Sequence, residues 1–471
     1  MKAKKILTLF IVSILTLQSA VLAKETVDNN SRIKIQVSKQ KNSPKKDAEK
    51  TFNLAPYWEN YSDDLLNGYI YEALEKNLDI KIAQSRIKQS QAILGTVNAQ
   101  RLPQLSVNPS IYPYKTISKF SGEYGSSNNL SFPLLLNWEL DIFGKNLNKV
   151  QSSRISVKIS QEQLNITKLA ISSEVAASYF NIILTDELIK NNEEILTNLN
   201  ETTKLKKQLY TGGIIQYDNL YLTEYEKVTK QNELNELYKQ KEILLHQFSV
   251  LRGVSPEAET SLKRSQIAKL NLPFYPNVQI SSDYVYNRPD VMQAELGIKK
   301  SAMDVRVAKK MFLPTVNLNE AVGFENLKSG RLFNWDSTVY QLGAGLLFDL
   351  YTGGAKMSNL RYNKAVATEK LHQYNNVLLN AICEIENELS SFKTDYNSYN
   401  EFNKTMKNSN HYYQVAQTRY INGVGNKIDE LDARRQFLIN ENSMYRTKIC
   451  ALVDTVNIYK AFGSTFGSSI K

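Results

Sequence analysis

The chain has 471 residues, a formal net charge of +11 and two cysteines. It contains no run of 18 apolar residues, which excludes a transmembrane helix. A basic chain can indicate nucleic acid binding, but the export signal described next argues against such a partner. The positive charge is spread along the chain, apart from a lysine-rich segment at 32–50, and this distribution favours solvated helix faces.

Residues 1–23 have the pattern of a secretory signal peptide. Three lysines precede an apolar run over 6–17, and Val21 and Ala23 occupy the −3 and −1 positions of a cleavage site. Cleavage would remove those three lysines and lower the net charge from +11 to +8. Residues 24–55 are predicted to form a flexible extension. Neither Cys383 nor Cys450 is near the cleavage site, so we expect no lipid anchor.

Residues 130–142 are predicted to form a membrane-spanning strand. A period of two with one continuous apolar face indicates a strand, and seven alternations suffice for a tilted strand to cross a bilayer. The apolar positions are Leu130, Phe132, Leu134, Leu136, Trp138, Leu140 and Ile142.

A very long helix is predicted to follow this strand. Between Gly144 and Thr211 there is no proline or glycine, and apolar residues recur at helical spacing. About 67 residues at 1.5 Å each give a rod of roughly 100 Å. A compact soluble domain has no need of that length, whereas a duct across a periplasm would.

The chain contains an internal duplication with an offset of 210 or 211 residues, which is typical of repeat architectures. "LPQLSVN" at Leu102 is echoed by "LPTVNLN" at Leu313, and Gly144 corresponds to Gly354. Tyr210, Gly212, Asp218, Leu220 and Gly253 match Tyr420, Gly423, Asp429, Leu431 and Gly463. We assign a first repeat to 56–262, a linker to 263–284, a second repeat to 285–465 and a tail to 466–471.

Each repeat is predicted to run helix, strand, strand, long helix, turn and shorter helix. Further alternating strands are expected near 105–112, 315–324 and 340–350, with Glu320 as a charged exception on an apolar face. The second long helix is expected over 354–421, and shorter helices over 65–101 and 429–462. Two shorter helices stacked end to end would match one long helix, which predicts a cylinder of helices in coiled-coil packing.

Four strands cannot close a barrel, because the smallest known barrels need eight, and open strand edges are not satisfied in lipid. Twelve strands from three chains with cyclic symmetry are the economical solution.

Four segments resemble the outer membrane efflux proteins, or TolC-like outer membrane factors. They are "NWELDIFGKN", "EVAASYFNIIL", "RPDVMQAELGIKKSAMDVRVAKKMFLPTVNL" from Arg288 and "RYINGVGNKIDELDARRQFL" from Arg419. The resemblance covers nearly everything after Leu54. It implies a mostly α fold with a small β part, in which the duplicated helix-strand-strand-helix-helix repeat builds a trimeric 12-stranded outer-membrane β-barrel continued by a long periplasmic α-helical barrel.

The resemblance also implies a function and partners. The protein would be a passive outer-membrane duct of a tripartite efflux or export system. Its partners would be two further copies of itself, outer membrane lipid, a periplasmic adaptor protein and an inner-membrane pump. The Arg288–Pro289–Asp290 opening favours a pump of the RND type, with an ABC-type protein secretion system as the alternative. Many such family members are lipoproteins, and this chain differs in lacking the cysteine.

In the family the tunnel closes at a periplasmic tip, where carboxylates form rings. The matching residues are Asp429 and Asp432, with Asp218 as a weaker candidate from the first repeat. Threefold symmetry would place six carboxylates around one opening and favour cations. As an alternative that can coexist with a gate, Asp429 caps the helix that follows the turn.

Other residues of these motifs have candidate roles beside structural ones. Arg419 and Tyr420 would brace the neighbouring hairpin, or would simply be exposed polar residues at a helix end. Arg288, Pro289 and Asp290 are interpreted as a structural helix start, with Gly144 and Gly354 as structural motif residues. The turn glycines, which serve the backbone and in the family also meet the adaptor, are Gly212, Gly213, Gly423 and Gly425.

Nothing in the sequence points to catalysis, a cofactor or a metal site. His246, His372 and His411 are isolated and have no metal-ligand spacing. Two other classes of protein compete with a duct: a barrel-anchored coiled-coil adhesin and a soluble periplasmic adaptor. The separated strand pairs disfavour the adhesin, and the apolar strand faces disfavour the adaptor. Cys383 and Cys450 are expected to be free, packed thiols, because the helical register separates them by roughly 25 Å.

Overall fold

Two helices of 67 residues each form the frame of the structure. The computed structural model describes residues 56–117, 124–256, 262–272, 285–326 and 331–463, all within one unit. The predicted signal peptide at 1–23, the extension at 24–55 and the tail at 466–471 lie outside these residues.

The helices are α1 Asp64–Lys76, α2 Leu78–Ala99, α3 Lys145–Thr211, α4 Tyr217–Leu251, α5 Pro289–Lys310, α6 Ala355–Ile421 and α7 Lys427–Ala461. The strands are β1 Gln104–Val107, β2 Ser110–Ile117, β3 Tyr124–Leu140, β4 Thr315–Asn326 and β5 Thr338–Leu347. Short 3₁₀ turns cover Tyr57–Tyr61, Ile267–Lys269 and Trp335–Ser337.

The helix lengths repeat at a constant sequence spacing. α3 and α6 each have 67 residues, and α4 and α7 each have 35. Both pairs begin 210 residues apart, at 145 and 355 and at 217 and 427. Gly144 and Gly354 precede the long helices with φ values of 69° and 84°, which glycine adopts at little cost. The exact bounds of the two repeats and the linker stay predictions.

The helices form a layer in which α3 is central. α3 packs against α2 and α5 along one half and against α4 and α7 along the other, and α6 packs against α5 and α7. The shorter helices stack end to end, as predicted. The side-chain amide of Asn77, before α2, donates to the Leu251 carbonyl at the end of α4 at 2.8 Å. Arg288, before α5, donates to the carbonyl of Ala461, the last residue of α7.

The single helix predicted at the start of the first repeat is wrong, because it is divided into α1 and α2. The break is at Asn77, whose side-chain oxygen accepts hydrogen bonds from the N–H groups of Asp79 and Ile80. Asparagine is a preferred N-cap because it satisfies amides that lack a partner in the first turn. A Cβ at Gly253 would lie 2.5 Å from the Lys76 carbonyl oxygen, so the end of α4 needs glycine to approach this break.

The strands form one antiparallel sheet in the order β1–β3–β4–β5, and β2 also pairs with β3. Both β1 and β2 pair with β3 in the same register, since Val107 lies opposite Leu134 and Ser110 lies opposite Ser131. They act as one strand interrupted at Pro109, which has no N–H to donate to the ladder. With β1 and β2 counted as one, the sheet therefore has four strands, as predicted.

One face of the sheet is apolar and exposed. Directly opposed residues share a face, and the register aligns Leu134 with Val322 and Tyr340, which are 45%, 50% and 82% exposed. Glu320 lies in this face, as predicted, between Leu136 and Leu342.

Two predicted strand ends are wrong. β3 ends at Leu140 rather than Ile142, because the Asp141 carboxylate accepts hydrogen bonds from the N–H groups of Asn146 and Leu147 at 2.9 and 2.6 Å. Asp141 thus serves the start of α3. β5 ends at Leu347 rather than at 350, shortly before the glycines that precede α6.

The most buried region lies where the 3₁₀ turn Tyr57–Tyr61 crosses α3 and α7. Tyr57 and Tyr61 are 1% and 2% exposed. The Tyr57 hydroxyl lies 3.2 Å from the Ser173 hydroxyl on α3, and the Tyr61 hydroxyl 2.8 Å from that of Thr455 on α7. The segment at the very start of the first repeat therefore joins the long helix of that repeat to the last helix of the second.

None of the described helices is long and apolar enough to span a membrane. Cys383 and Cys450 are free, as predicted, but both are exposed. The predicted packing of the two thiols is wrong, since each lies outside the buried stripe of its helix.

Candidate functional site

The polar face of the sheet continues onto the helices through a cavity of about 640 Å³. Its walls include Asn137 and Glu139 of β3, Asn317 and Asn319 of β4, and Gln100 just after α2. Asn137 lies opposite Asn319 and Glu139 opposite Asn317, so the four strand residues share one face. This face is the polar counterpart of the exposed apolar face.

A second cavity, of about 530 Å³, lies further along the helices. It is lined by residues of α2, α3, α5 and α6, and Gln100 borders both cavities. A cavity that touches both outer members of a layer of four helices lies on the concave side of that layer. The two cavities therefore adjoin at Gln100 and extend from the strands onto the concave helical face.

Two hairpin turns of the same geometry join α3 to α4 and α6 to α7. Gly213 and Gly423 both have a φ of 71°. After them, the N–H of Ile214 donates to the Leu209 carbonyl at 2.9 Å, and that of Val424 donates to the Arg419 carbonyl at 3.0 Å. This is the Schellman arrangement, in which a left-handed residue lets the chain satisfy the last carbonyls of a helix.

The other two predicted turn glycines differ from this pair. Gly212 has a φ of −81°, as does Asn422 at the same position of the second turn, so glycine is not required there. The structure pairs Gly213, not Gly212, with Gly423. Gly425 is needed for a close approach, because a Cβ there would lie 3.0 Å from the Cβ of Arg419.

The first hairpin turn carries aromatic side chains. The rings of Tyr210 and Tyr217 are 5.8 Å apart, and those of Tyr217 and Tyr221 are 6.2 Å apart. Asp218 is exposed in the first turn of α4 and makes no ion pair with a described residue. With α4 and α7 offset by 210, Asp218 corresponds to Ile428 and not to Asp429, so the sequence match was one residue out of register.

The second hairpin turn carries charge. α7 begins at Lys427, and its N-cap is Asn426, whose side-chain oxygen accepts from the Ile428 N–H at 3.0 Å. The interpretation of Asp429 as the N-cap is therefore wrong. Asp429 lies in the first turn of α7, where helix polarity favours a negative charge. It is exposed and has no cationic partner within the described ranges.

Asp432 is held by an arginine that the sequence analysis missed. Arg435 places Nη2 2.6 Å from the Asp432 carboxylate and Nε 3.1 Å from that of Glu226. Its Nη1 donates to the Asn198 side chain at 3.1 Å. Arg435 thereby connects α7 to α3 and α4. The two arginines of "DARRQ" were the available signal, but apart from Asp432 their partners lie more than 200 residues earlier in the chain.

Two further ion pairs join α7 to α3 in the same region. Arg434 lies 2.5 Å from Glu194, and Lys427 lies 3.9 Å from Glu201. The end of the second hairpin is thus attached to the first hairpin through charge as well as through the buried apolar cluster of Ile195, Leu199, Phe437 and Leu438.

Tyr420 and Arg419 make no described contact with another hairpin. The Lys427 ammonium lies 5.0 Å from the centre of the Tyr420 ring and 2.5 Å from the Glu430 carboxylate. The hydrogen bond to Glu430 raises the pKa of Lys427, which keeps the ammonium charged. Arg419 is exposed. Bracing of a neighbouring hairpin by Arg419 and Tyr420 stays a prediction.

Arg288, Pro289 and Asp290 lie at the junction between α5 and α7. Pro289 is the first residue of α5, and Arg288 pairs with Asp290 at 2.9 Å and with Glu384 of α6 at 2.6 Å. Burial lowers the pKa of Arg288, but the two carboxylates outweigh burial and raise it overall. The triplet thus fastens three helices together.

No group of three or more His, Cys, Asp or Glu side chains is arranged to hold a metal ion in the part of the chain that the structure describes.

An exposed apolar sheet face, a polar face opposite it and a concave helical face that adjoins the polar one are typical of a membrane channel. The chain belongs to the outer membrane efflux protein family, whose model matches residues 69–243 and 280–464. It is therefore an outer-membrane channel protein rather than an enzyme, as predicted.

Two relatives and one solved structure illustrate the similarity. The probable outer membrane lipoprotein SilC of Salmonella typhimurium is 23% identical over 86% of this chain and 87% of its own length. The cation efflux system protein CusC of Escherichia coli O157:H7 is 22% identical over 86% of each chain. The Campylobacter jejuni CmeC outer membrane channel superposes with a TM-score of 0.78, at 24% identity and 87% coverage of both chains.

Proposed function

We propose that the protein is a passive trimeric duct that carries substrates from an inner-membrane pump across the periplasm and the outer membrane. The observation that carries this proposal is the unfinished sheet. The outer strands, β1 with β2 on one side and β5 on the other, each pair on one edge only among the described strands. Open edges beside an exposed apolar face are unfavourable in lipid. Three copies would supply twelve strands and close the barrel.

The partners follow from this role. A duct that spans the periplasm needs a periplasmic adaptor and an inner-membrane pump. Similarity to the cation efflux system protein CusC and to the probable efflux pump outer membrane protein TtgC of Pseudomonas putida favours a pump of the RND type over protein secretion. Secretion through cleavage after Ala23, without lipid attachment, is also part of the proposal. The intact mass of the purified protein tests it, because a lipid-modified N-terminus would add the mass of its acyl chains.

The duct is closed at the second hairpin turn. Asp429 and Asp432 contribute two carboxylates per copy, so a trimer would place six around the axis and attract cations. Arg435 holds Asp432 at 2.6 Å, and with Arg434 and Lys427 it keeps the second hairpin against the first. Adaptor contact would have to disrupt these ion pairs to widen the opening.

Single-channel conductance in a planar bilayer tests both the duct and its gate. We expect the wild type to show a small, cation-selective conductance that multivalent cations block from the periplasmic side. The Asp429→Ala, Asp432→Ala double variant should lose both selectivity and block. Asp79→Ala, at an exposed acid in the first turn of α2, is the matched control and should behave like the wild type.

Unchanged selectivity and block in the double variant would move the gate away from this turn and leave the duct intact. The absence of any conductance from a well-folded trimer would contradict the duct itself.

A further inference from the structure

We propose that the concave helical cavity is a binding site for amphipathic anions, small molecules with one carboxylate or sulfonate and an apolar body. The inference rests on the proposed function, because it takes the concave face as the lumen of the duct. It adds a class of ligand and a position to that function.

One polar wall of the cavity is a stripe of α3. Lys149, Ser152, Ser153 and Ser156 line it at helical spacings of three and four, which places them on one face of the helix. The apolar wall comes from α2 and α5. It consists of Ile93, Val97, Val307 and Ala308.

The charges in this cavity do not cancel. Lys300 pairs with Asp304 at 2.8 Å, and the same carboxylate accepts a hydrogen bond from Ser152 at 2.6 Å. Lys149 is half-buried in the wall and forms no ion pair with another described residue. One positive charge per copy is therefore left over. In a symmetric trimer three such ammonium groups would face one lumen, where low-dielectric walls strengthen their attraction for an anion.

A buried hydroxyl beside Lys149 also lacks a partner. Ser153 is 8% exposed, and its Oγ makes no hydrogen bond to a described residue. Its neighbour Ser156 behaves differently, because its hydroxyl donates to the Ser152 carbonyl at 3.3 Å. Leaving a buried hydroxyl unsatisfied is unfavourable, and an anionic group held at Lys149 would accept a hydrogen bond from it after a rotation about χ1.

The apolar wall selects an amphipathic ligand over a bare inorganic anion. Ile93 is 59% exposed although it lines a concavity, so its side chain is available to a ligand. A volume of about 530 Å³ falls in the range of sites for drug-sized molecules, which are mostly apolar with a few polar anchors. A neutral analogue would lack the interaction with Lys149, and a cation would be repelled by it.

The test uses 1-pyrenebutyrate as the anionic probe and 1-pyrenebutanol as its neutral analogue. Both compounds are tested on the full-length protein in two assays. In the planar bilayer, the measured quantity is the block of conductance. In lipid nanodiscs, pyrene fluorescence anisotropy measures binding, with empty discs as the blank. We expect the butyrate to block and to bind the wild type. Loss of a charge-assisted hydrogen bond in Lys149→Gln should weaken both effects about tenfold or more.

Two control variants separate the charge of Lys149 from other effects of substitution. Lys149→Arg keeps the charge and should bind within a few-fold of the wild type, and Lys168→Gln, on the same helix outside the cavity, should be unaffected. Equal binding of butyrate and butanol, or equal binding by the wild type and Lys149→Gln, would overturn the proposal. Binding in nanodiscs without any conductance would support the site and contradict the duct. Conductance without binding would do the reverse.

Discussion

The two hairpin turns share a backbone and differ in chemistry. Each follows a 67-residue helix, turns at a glycine with a φ of 71° and begins a helix of 35 residues. At three equivalent positions, 210 residues apart, the first turn has an apolar or aromatic side chain where the second has a charged one. The pairs are Tyr217 and Lys427, Leu222 and Asp432, and Tyr225 and Arg435.

This difference shows which properties a duplicated hairpin must keep. The left-handed turn residue and the apolar stripe are required by the backbone and by packing, so both copies retain them. Side chains at the tip are free of those requirements and have become different. The first turn exposes Leu222 and Tyr225, which are 62% and 63% exposed. The second turn forms the ion pairs that attach it to α3 and α4.

The difference in charge between the two repeats extends from the turns along the helices. Asp454 of α7 is 9% exposed, and its Oδ2 has no hydrogen-bond partner among the described residues. Burial, together with the nearby carboxylates of Asp395 and Glu388 on α6, raises the pKa of Asp454 to about 7. The first-repeat residues at these three positions are uncharged. They are Leu244, Thr185 and Ser178.

The largest effect is expected from removing the buried carboxyl of the second repeat at Asp454. A carboxyl with a pKa near 7 when folded and near 3.8 when unfolded stays protonated in the folded state as the unfolded state ionises. Its contribution to the free energy of unfolding is therefore highest below pH 4. This contribution falls by up to about 4 kcal/mol as the pH rises to 7, because the unfolded state then loses its proton more readily than the folded state. Asp454→Asn should raise the melting temperature at pH 8 and flatten its decline between pH 4 and 7. Thermal unfolding over that pH range measures both changes.

The matched control is Leu244→Asn in the first repeat, whose pH dependence should follow that of the wild type. A wild-type pH profile unchanged by Asp454→Asn would show that this carboxyl ionises normally in the folded protein.

A smaller effect is expected at Arg435, the residue that gives the second turn its connection to the first. Arg435→Ala leaves Asp432 and Glu226 without their shared cation, and loss of such a partly buried pair should cost about 1–3 kcal/mol. The proposed gate should then open more readily. We expect a higher single-channel conductance or open probability, together with a lower melting temperature.

Tyr225→Ala is the corresponding change in the first hairpin and should leave the conductance close to that of the wild type. If both variants conduct alike, the ionic contacts of the second hairpin do not hold the duct closed.

The smallest effects test what the two turns share. Gly213→Ala and Gly423→Ala place a Cβ in the left-handed region and should each destabilise the protein by about 1 kcal/mol. Gly212→Ala is the control, because a φ of −81° suits any residue. Denaturant unfolding of the three variants measures the differences. Unequal effects of the Gly213 and Gly423 substitutions would contradict a common backbone requirement.

Much of the fold was predictable from local patterns. Alternation over 130–140 identified a strand, the absence of proline and glycine between Gly144 and Thr211 identified the long helix, and the 210-residue offset identified the duplication. These patterns depend on backbone periodicity and on residues that break it. The errors occurred where a single side chain ends an element, at the Asn77 cap inside a helical pattern and at Asp141 after β3.

The candidate site was predictable only in part. The role of Asp429 and Asp432 in a gate stays a prediction. The sequence placed both acids next to the second turn, but it paired Asp218 with the wrong residue of the second repeat. It did not identify Arg435 as the partner of Asp432, nor Lys149 and Ser153 as walls of a cavity.

By itself the sequence determined the kind, length and repetition of the elements, because these follow from short-range periodicity and from glycine, proline and capping residues. Only the tertiary structure decided which distant charges meet and which helix faces become concave. Those outcomes depend on how the stacked helices α5 and α7 pack alongside α3, and residues such as Asn198 and Arg435 are brought together by that packing across 237 positions of sequence.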